Sequence, residues 1–221
     1  MRRLLHHPLS PLSRLVRVQL AEKGVDFELV MEKPWERREE FLALNPAGEV
    51  PVFIDEDGAV AVRETIPEYI EETFSSNSLL NGSAVQRAEA RRLTSWFINK
   101  FERDVTENLV GEKIIKRLSG QGYPHAIAIR AGHSNIHFHL DYIAWLSDHR
   151  TWLAGDHFSL ADIAAGAQLS TIDYIAEVPW EDHPEAKDWY ARIKSRPSFR
   201  AILADHLPGI PPPKHYADLD F

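Results

Sequence analysis

The sequence predicts a small mixed α/β domain followed by an all-helical one. Three observations point there. Up to residue 75 the apolar residues recur as strand, helix, strand and hairpin. From Gln86 they recur at helical spacing, and the polar stretch Ser75 to Gly82 separates the two patterns. The expected division is residues 1–75, a linker over 76–85, helices over 86–207 and a Pro-rich tail over 208–221.

Leu4-Leu5 opens a short strand, and His7 to Ser13, with Pro8 and Pro11, reads as a loop. A helix is expected from Ser13, with Leu15, Val16, Val18 and Leu20 on its core side and Lys23-Gly24 ending it. Phe27 to Val30 is a second strand, completing a βαβ unit. Val50, Val52 and Ile54 alternate as in a half-buried strand, Asp57-Gly58 signals a tight turn, and Ala59 to Val62 returns. Pro51 cannot donate to a sheet ladder, so a cis Val50–Pro51 bond is expected. Thr65-x-x-Glu68 reads as a capping box, placing Pro67 at the second helical position. This is the order of a thioredoxin-like domain ending near Phe74.

Leu93, Trp96, Phe97, Phe101, Val105 and Leu109 then trace a long helix, broken at Gly120-Gln121-Gly122. Ile129, Ile136, Leu140, Ile143 and Leu146 trace the next. Ser159, with Asp162 three residues on, caps an apolar helix. Ala186 to Lys194 and Arg200 to Ala204 are shorter helices, and Pro211-Pro212-Pro213 fixes an extended segment before the end.

Composition narrows the function. The chain has 221 residues, a net charge of −8 and a pI near 5.8, the wrong balance for a nucleic-acid binder. It has no cysteine, which removes disulfides, a Cys nucleophile and thiolate metal sites, and makes the cytoplasm the expected compartment. No run approaches the roughly 18 apolar residues of a membrane span, and MRRLLHHPLS lacks the apolar core of a signal peptide. No membrane partner is expected.

Three clusters carry candidate chemistry. His133 and His137, four apart with His139 close by, have zinc-pair spacing but lack an HExxH glutamate, and no metal is expected. Lys33-Pro34-Trp35-Glu36-Arg37-Arg38 embeds a Trp among charges: either an interface anchor or a ring packed over the sheet. Lys113, Lys116 and Arg117 form a basic patch that suits an acidic partner or a helix C-terminus. Tyr216, Leu219 and Phe221 in the tail can dock on this chain or on a partner.

Asn45-Pro46-Ala47-Gly48-Glu49-Val50-Pro51-Val52 resembles the Asn-Pro-x-Gly-x-Val-Pro segment of the glutathione transferase superfamily. Ser10 to Arg14, Glu22-Lys23-Gly24 and the box from Gly155 to Asp162 resemble other parts of that family. The resemblance implies the two-domain glutathione transferase fold and a glutathione site. In it Val50, before Pro51, would pair its backbone with the cysteinyl group, and Ser10 would activate the thiol. The family's Glu-Ser pair that grips the γ-glutamyl group falls here on Val62 and Arg63; Glu64, beside Thr65, is the substitute the sequence offers. With that pair lost, no cofactor is expected to be required, glutathione is expected to bind weakly at best, and Ser10 reads as a loop residue near the helix start.

A narrower resemblance fits better. Lys33 to Arg38, Thr106 to Lys113, Glu177 to Glu181 and His215 to Phe221 are similar to the superfamily's bacterial division members that bind the tubulin homologue FtsZ. That likeness implies a non-catalytic homodimer acting on FtsZ. The alternative is a transferase joining glutathione to small electrophiles. The partner surface is expected to run from Trp35, Arg37 and Arg38 toward Lys113, Lys116 and Arg117, with Phe221 at the tail. Trp96, Phe97 and Phe101 are expected to supply dimer surface.

Overall fold

Four short strands order the N-terminal half of the chain. The computed structural model describes residues 1–58 and 60–219. β1 (Arg3–His6) leads to α1 (Pro11–Lys23), then β2 (Glu28–Met31), a 3-10 turn (Pro34–Glu36) and α2 (Glu39–Leu44). β3 (Val52–Ile54), β4 (Val60–Val62) and α3 (Thr65–Thr73) complete it. The sheet order is β2-β1-β3-β4, with β1 parallel to β2 and antiparallel to β3, and β3 antiparallel to β4. Leu5 faces Val52 and Val52 faces Val62 in register.

Side chains alternate across a strand, so Val52 and Phe53 point to opposite faces. Both are fully buried. Phe53 packs with Leu4, Ile66 and Ile70 in the main core, while Val52 packs with Leu5, Val50 and Phe41 of α2. β3 is therefore covered on both faces rather than half-buried as expected, because α2, which the sequence reading did not assign, closes the second face.

Two helix starts differ from expectation. α1 begins at Pro11, two residues earlier: Ser10 is its N-cap and accepts from the Ser13 N–H at 3.2 Å, with Pro11 where a missing N–H costs nothing. α3 begins at Thr65 itself, so the capping box does not form. The Thr65 hydroxyl donates to the Val62 carbonyl at 2.6 Å and accepts its N–H at 3.1 Å. Arg63 makes the turn at φ 46°, and Pro67 becomes the third helical residue, still within the first turn where N–H groups lack helical partners. The Val50–Pro51 bond is cis.

The stretch expected to be a polar linker is pinned. Leu79 and Leu80 are buried, and the Leu160 N–H donates to the Leu79 carbonyl. A long helix follows, α-wound over α4 (Ala84–Ser95), π-wound over Trp96–Ile115 and α-wound again over α5 (Lys116–Leu118). α6 (Ala126–His149), α7 (Leu160–Tyr174), α8 (Pro184–Lys194) and α9 (Arg200–Leu203) complete the helical half. α7 is buried along its whole length and packs on α1, joining the halves. Ser159 and Asp162 form the expected capping box, and Asp162 also accepts the Leu153 N–H. Among the described residues no helix is long and apolar enough to cross a membrane.

The tail docks on its own chain. Tyr216 is fully buried, and its hydroxyl accepts from the buried Arg14 guanidinium at 2.7 Å. Phe221 lies outside the described residues. Phe97 and Phe101 are fully buried in the chain's own core, so they supply no dimer surface. The exposed aromatic face belongs instead to α6: Phe138 is 57% and Trp145 53% exposed, and Tyr142 stacks on Trp145 at 6.3 Å. Trp96, partly buried, packs beside Tyr142 at 5.1 Å.

Candidate functional site

A groove of about 270 Å³ lies between the two halves. The loop from β1 to α1 gives it His7, Leu9 and Ser10; Trp35 and Val50 extend that wall. The π-wound stretch forms the opposite wall with Glu102, Thr106, Glu107, Val110 and Ile115. A π-helix turns in steps of roughly 4.4 residues instead of about 3.6. Glu102, Thr106, Val110 and Ile115 all line the groove, where α-winding would carry Ile115 to the far side of the helix from Glu102.

Ser10 and Val50, expected from the resemblance, both line this groove. The Ser10 oxygen is already engaged as the α1 cap. Trp35 is partly buried and meets His7 edge-on, 5.2 Å between ring centres. His7 accepts the Leu9 N–H on Nδ1, and burial pushes its pKa down to about 4, so it is uncharged at neutral pH.

Glu64 and Thr65 are both occupied. Arg63 pairs with Glu64 at 3.1 Å and with Glu49 at 3.2 Å. Burial pushes the Glu64 carboxyl up, but the hydrogen bond and charge of Arg63 hold it below its ordinary value. Thr65 is taken by the Val62 backbone. The substitute carboxylate thus serves an arginine of its own chain.

The basic patch is largely neutralised within the chain. Lys113 pairs with Glu177, Lys116 with Glu112 at 2.7 Å, and Arg38 with the buried Glu32. Arg37 and Arg117 are exposed and make no ion pair among the described residues. The three histidines do not converge. His133 meets Glu177 at 2.6 Å, His137 meets His183 at 2.8 Å, and His139 is buried against Trp96.

Glu102 went unread in the sequence. It is half-buried on the groove wall, and the Gln168 amide donates to it at 3.4 Å. Gln168 makes closer bonds elsewhere: it accepts from Thr106 at 2.6 Å and donates to the Phe97 carbonyl at 3.0 Å. Burial pushes the Glu102 carboxyl up to about 7, against a lowering by Arg63. Its signal was faint, an acid directly after the core residue Phe101, and α-helical counting turns it away from Ile115.

Comparisons with known proteins follow the same outline. Residues 9–72 match the family described as Glutathione S-transferase, N-terminal domain, and residues 141–197 match Glutathione S-transferase, C-terminal domain. FtsZ-localized protein A of Caulobacter vibrioides is 47% identical over 99% of this chain and 98% of its own. A crystal structure of a glutathione S-transferase from Rhodospirillum rubrum F11 is 57% identical, with a TM-score of 0.97 over all of both chains. The structure of FzlA from C. crescentus is 47% identical, with a TM-score of 0.95 over 100% of this chain and 99% of its own.

Proposed function

The chain belongs to the glutathione S-transferase family, and from that premise we propose that it is a cell-division adaptor that binds FtsZ filaments and performs no glutathione chemistry. The observation that carries the partner is the 47% identity to FtsZ-localized protein A, which runs through both halves and both ends. Fold by itself would argue for an enzyme, but fold does not fix function. Against catalysis stand Val62 and Arg63 at the γ-glutamyl position, with Glu64 and Thr65 committed inside the chain. No cofactor is required in this reading, and the site of action is the cytoplasm.

The partner surface is the mouth of the groove, with Trp35 as its aromatic anchor. Arg37 and Arg117 are its available cations; Arg38, Lys113 and Lys116 contribute through paired charges, and Phe221 extends the surface at the tail. Trp35→Ala is expected to weaken FtsZ binding by about 2 kcal/mol, chiefly through a faster off-rate, in a protein that still folds by circular dichroism. Arg37→Ala is expected to slow association and flatten its salt dependence. The chain is proposed to act as a homodimer, supported by the exposed aromatic face of α6.

A second reading, glutathione conjugation to small electrophiles, is favoured by the transferase name of the Rhodospirillum rubrum protein and by Ser10 on the groove wall. Co-sedimentation with polymerised FtsZ, run beside calorimetric titration with reduced glutathione, separates the two. Pelleting with filaments and no glutathione heat is the expected result. Glutathione binding at low-micromolar concentration without pelleting reverses the choice.

A further inference from the structure

We infer that the groove takes a basic side chain, arginine or lysine flanked by apolar residues, from an extended partner segment, with the Glu102 carboxylate as its counter-ion. The inference rests on the reading of the groove as a partner surface and names what enters it.

The charged residues lining the groove are Glu102 and Glu107, and no arginine or lysine lines it. His7 adds no charge at neutral pH. The cations around the groove point to other carboxylates: Arg63 to Glu49 and Glu64, Lys113 to Glu177, Lys116 to Glu112. The charged side chains inside the groove are thus acidic, and a cation brought in favours the ionised form of Glu102. Glutathione, a net anion, would bring its carboxylates against that charge, whereas a cation meets it.

An ionised carboxylate offers about four acceptor positions, and the protein gives Glu102 one long hydrogen bond, from an amide better engaged with Thr106 and Phe97. A carboxylate withdrawn from water and left so poorly paired is costly until a cation reaches it. A guanidinium can bind it through two parallel hydrogen bonds.

Leu9, Trp35 and Val50 on one wall, with Val110 and Ile115 on the other, are apolar. They suit the alkyl stem of a long basic side chain, which buries its methylenes while its head meets charge. Trp is also the aromatic ring that best receives a cation on its face.

The test uses two synthetic peptides, acetyl-Ala-Leu-Arg-Leu-Ala-amide and the same peptide with citrulline, the uncharged isostere, in place of Arg. Binding to the full chain is followed by NMR through the methyl groups of Val110 and Ile115. The Arg peptide is expected to shift those methyls saturably, and the citrulline peptide to bind at least about tenfold more weakly. Glu102→Gln should erase the difference between the peptides, and Glu102→Asp should restore part of it. Equal binding of the two peptides, a preference that survives Glu102→Gln, or no methyl shift up to about 10 mM peptide overturns the inference. The FtsZ assay is independent. Peptide preference without filament pelleting removes the partner and keeps the groove, and pelleting without peptide preference does the reverse.

Discussion

By the resemblance to the family's Asn-Pro-x-Gly-x-Val-Pro segment, we propose that Arg63 takes the place of a residue that would hold the ligand's γ-glutamyl group. It turns the chain at φ 46° and gives its guanidinium to Glu49 and Glu64. Losing a charge-assisted pair costs roughly 1.5–3 kcal/mol, about ten- to a hundredfold in affinity. Reduced glutathione is therefore expected to bind well above the low-micromolar range, which calorimetry measures directly. Glu102 makes a pH-dependent claim. Its folded pKa, about 7, lies above the unsubstituted value of 4.5. The groups that face it are Arg63 and Glu64 at the start of α3, Glu107 on its own helix and Gln168 on α7. Its contribution to stability is complete below 4.5 and is lost as pH rises through 7. Urea denaturation of the parent and of Glu102→Gln should show the parent losing ground to the variant across that window. A constant difference between them would contradict the assignment. At this scale the sequence told half the story. Val62 and Arg63 were visible because a motif fixes their position; Glu102 was not, because its role depends on which way a distant helix faces.

Elements show the same division between local and long-range causes. The Ser159–Asp162 cap was legible because all its partners lie within a few residues. Asp162 accepts the N–H groups of Leu153 and Ser159 in a fully buried site. Asp162→Ala would leave both donors unpaired, and the expected loss is roughly 3 kcal/mol in urea unfolding; a loss below about 1 kcal/mol would mean water replaces the carboxylate. Thr65 carried an equally good cap signature and does something else, because the left-handed turn at Arg63 brings the Val62 backbone to its hydroxyl first. The spacing 93, 97, 101, 105, 109 was read as α-helical. A repeat of four fits neither about 3.6 nor roughly 4.4 residues per turn, so spacing alone did not reveal the wide winding. α2 has six residues and buries only Phe41, too short a segment for periodicity to detect.

The helical half presents a large aromatic face in which Phe138 and Trp145 stay exposed. Phe138, Tyr142 and Trp145 recur along α6 at helical intervals, with Trp96 beside them. Exposed aromatic surface of this kind marks interfaces. Phe138→Glu combined with Trp145→Glu is expected to convert a dimer to a folded monomer in sedimentation velocity at micromolar concentration. A parent that already sediments as a monomer would end the homodimer proposal, and a double variant that stays dimeric would move the interface elsewhere. The sequence reading chose Trp96, Phe97 and Phe101 for this role, and of these only Trp96 borders the exposed face. It counted aromatic residues on a helix, but only the packing of α7 decides which of them the chain keeps for itself.

Arg14, near the start of the chain, is wholly enclosed and donates to the Pro8 carbonyl, the Ser170 hydroxyl and the phenol of Tyr216. The last of these partners lies 202 positions further along the chain. A chain lacking it can build its sheet and most of its helices and still carry a guanidinium short of one acceptor. A stop codon before position 216 would consequently be felt at the first helix, far from the lesion in sequence, as a loosened joint that proteases reach. Trimming the tail ahead of Tyr216 to tidy a crystal would open that joint.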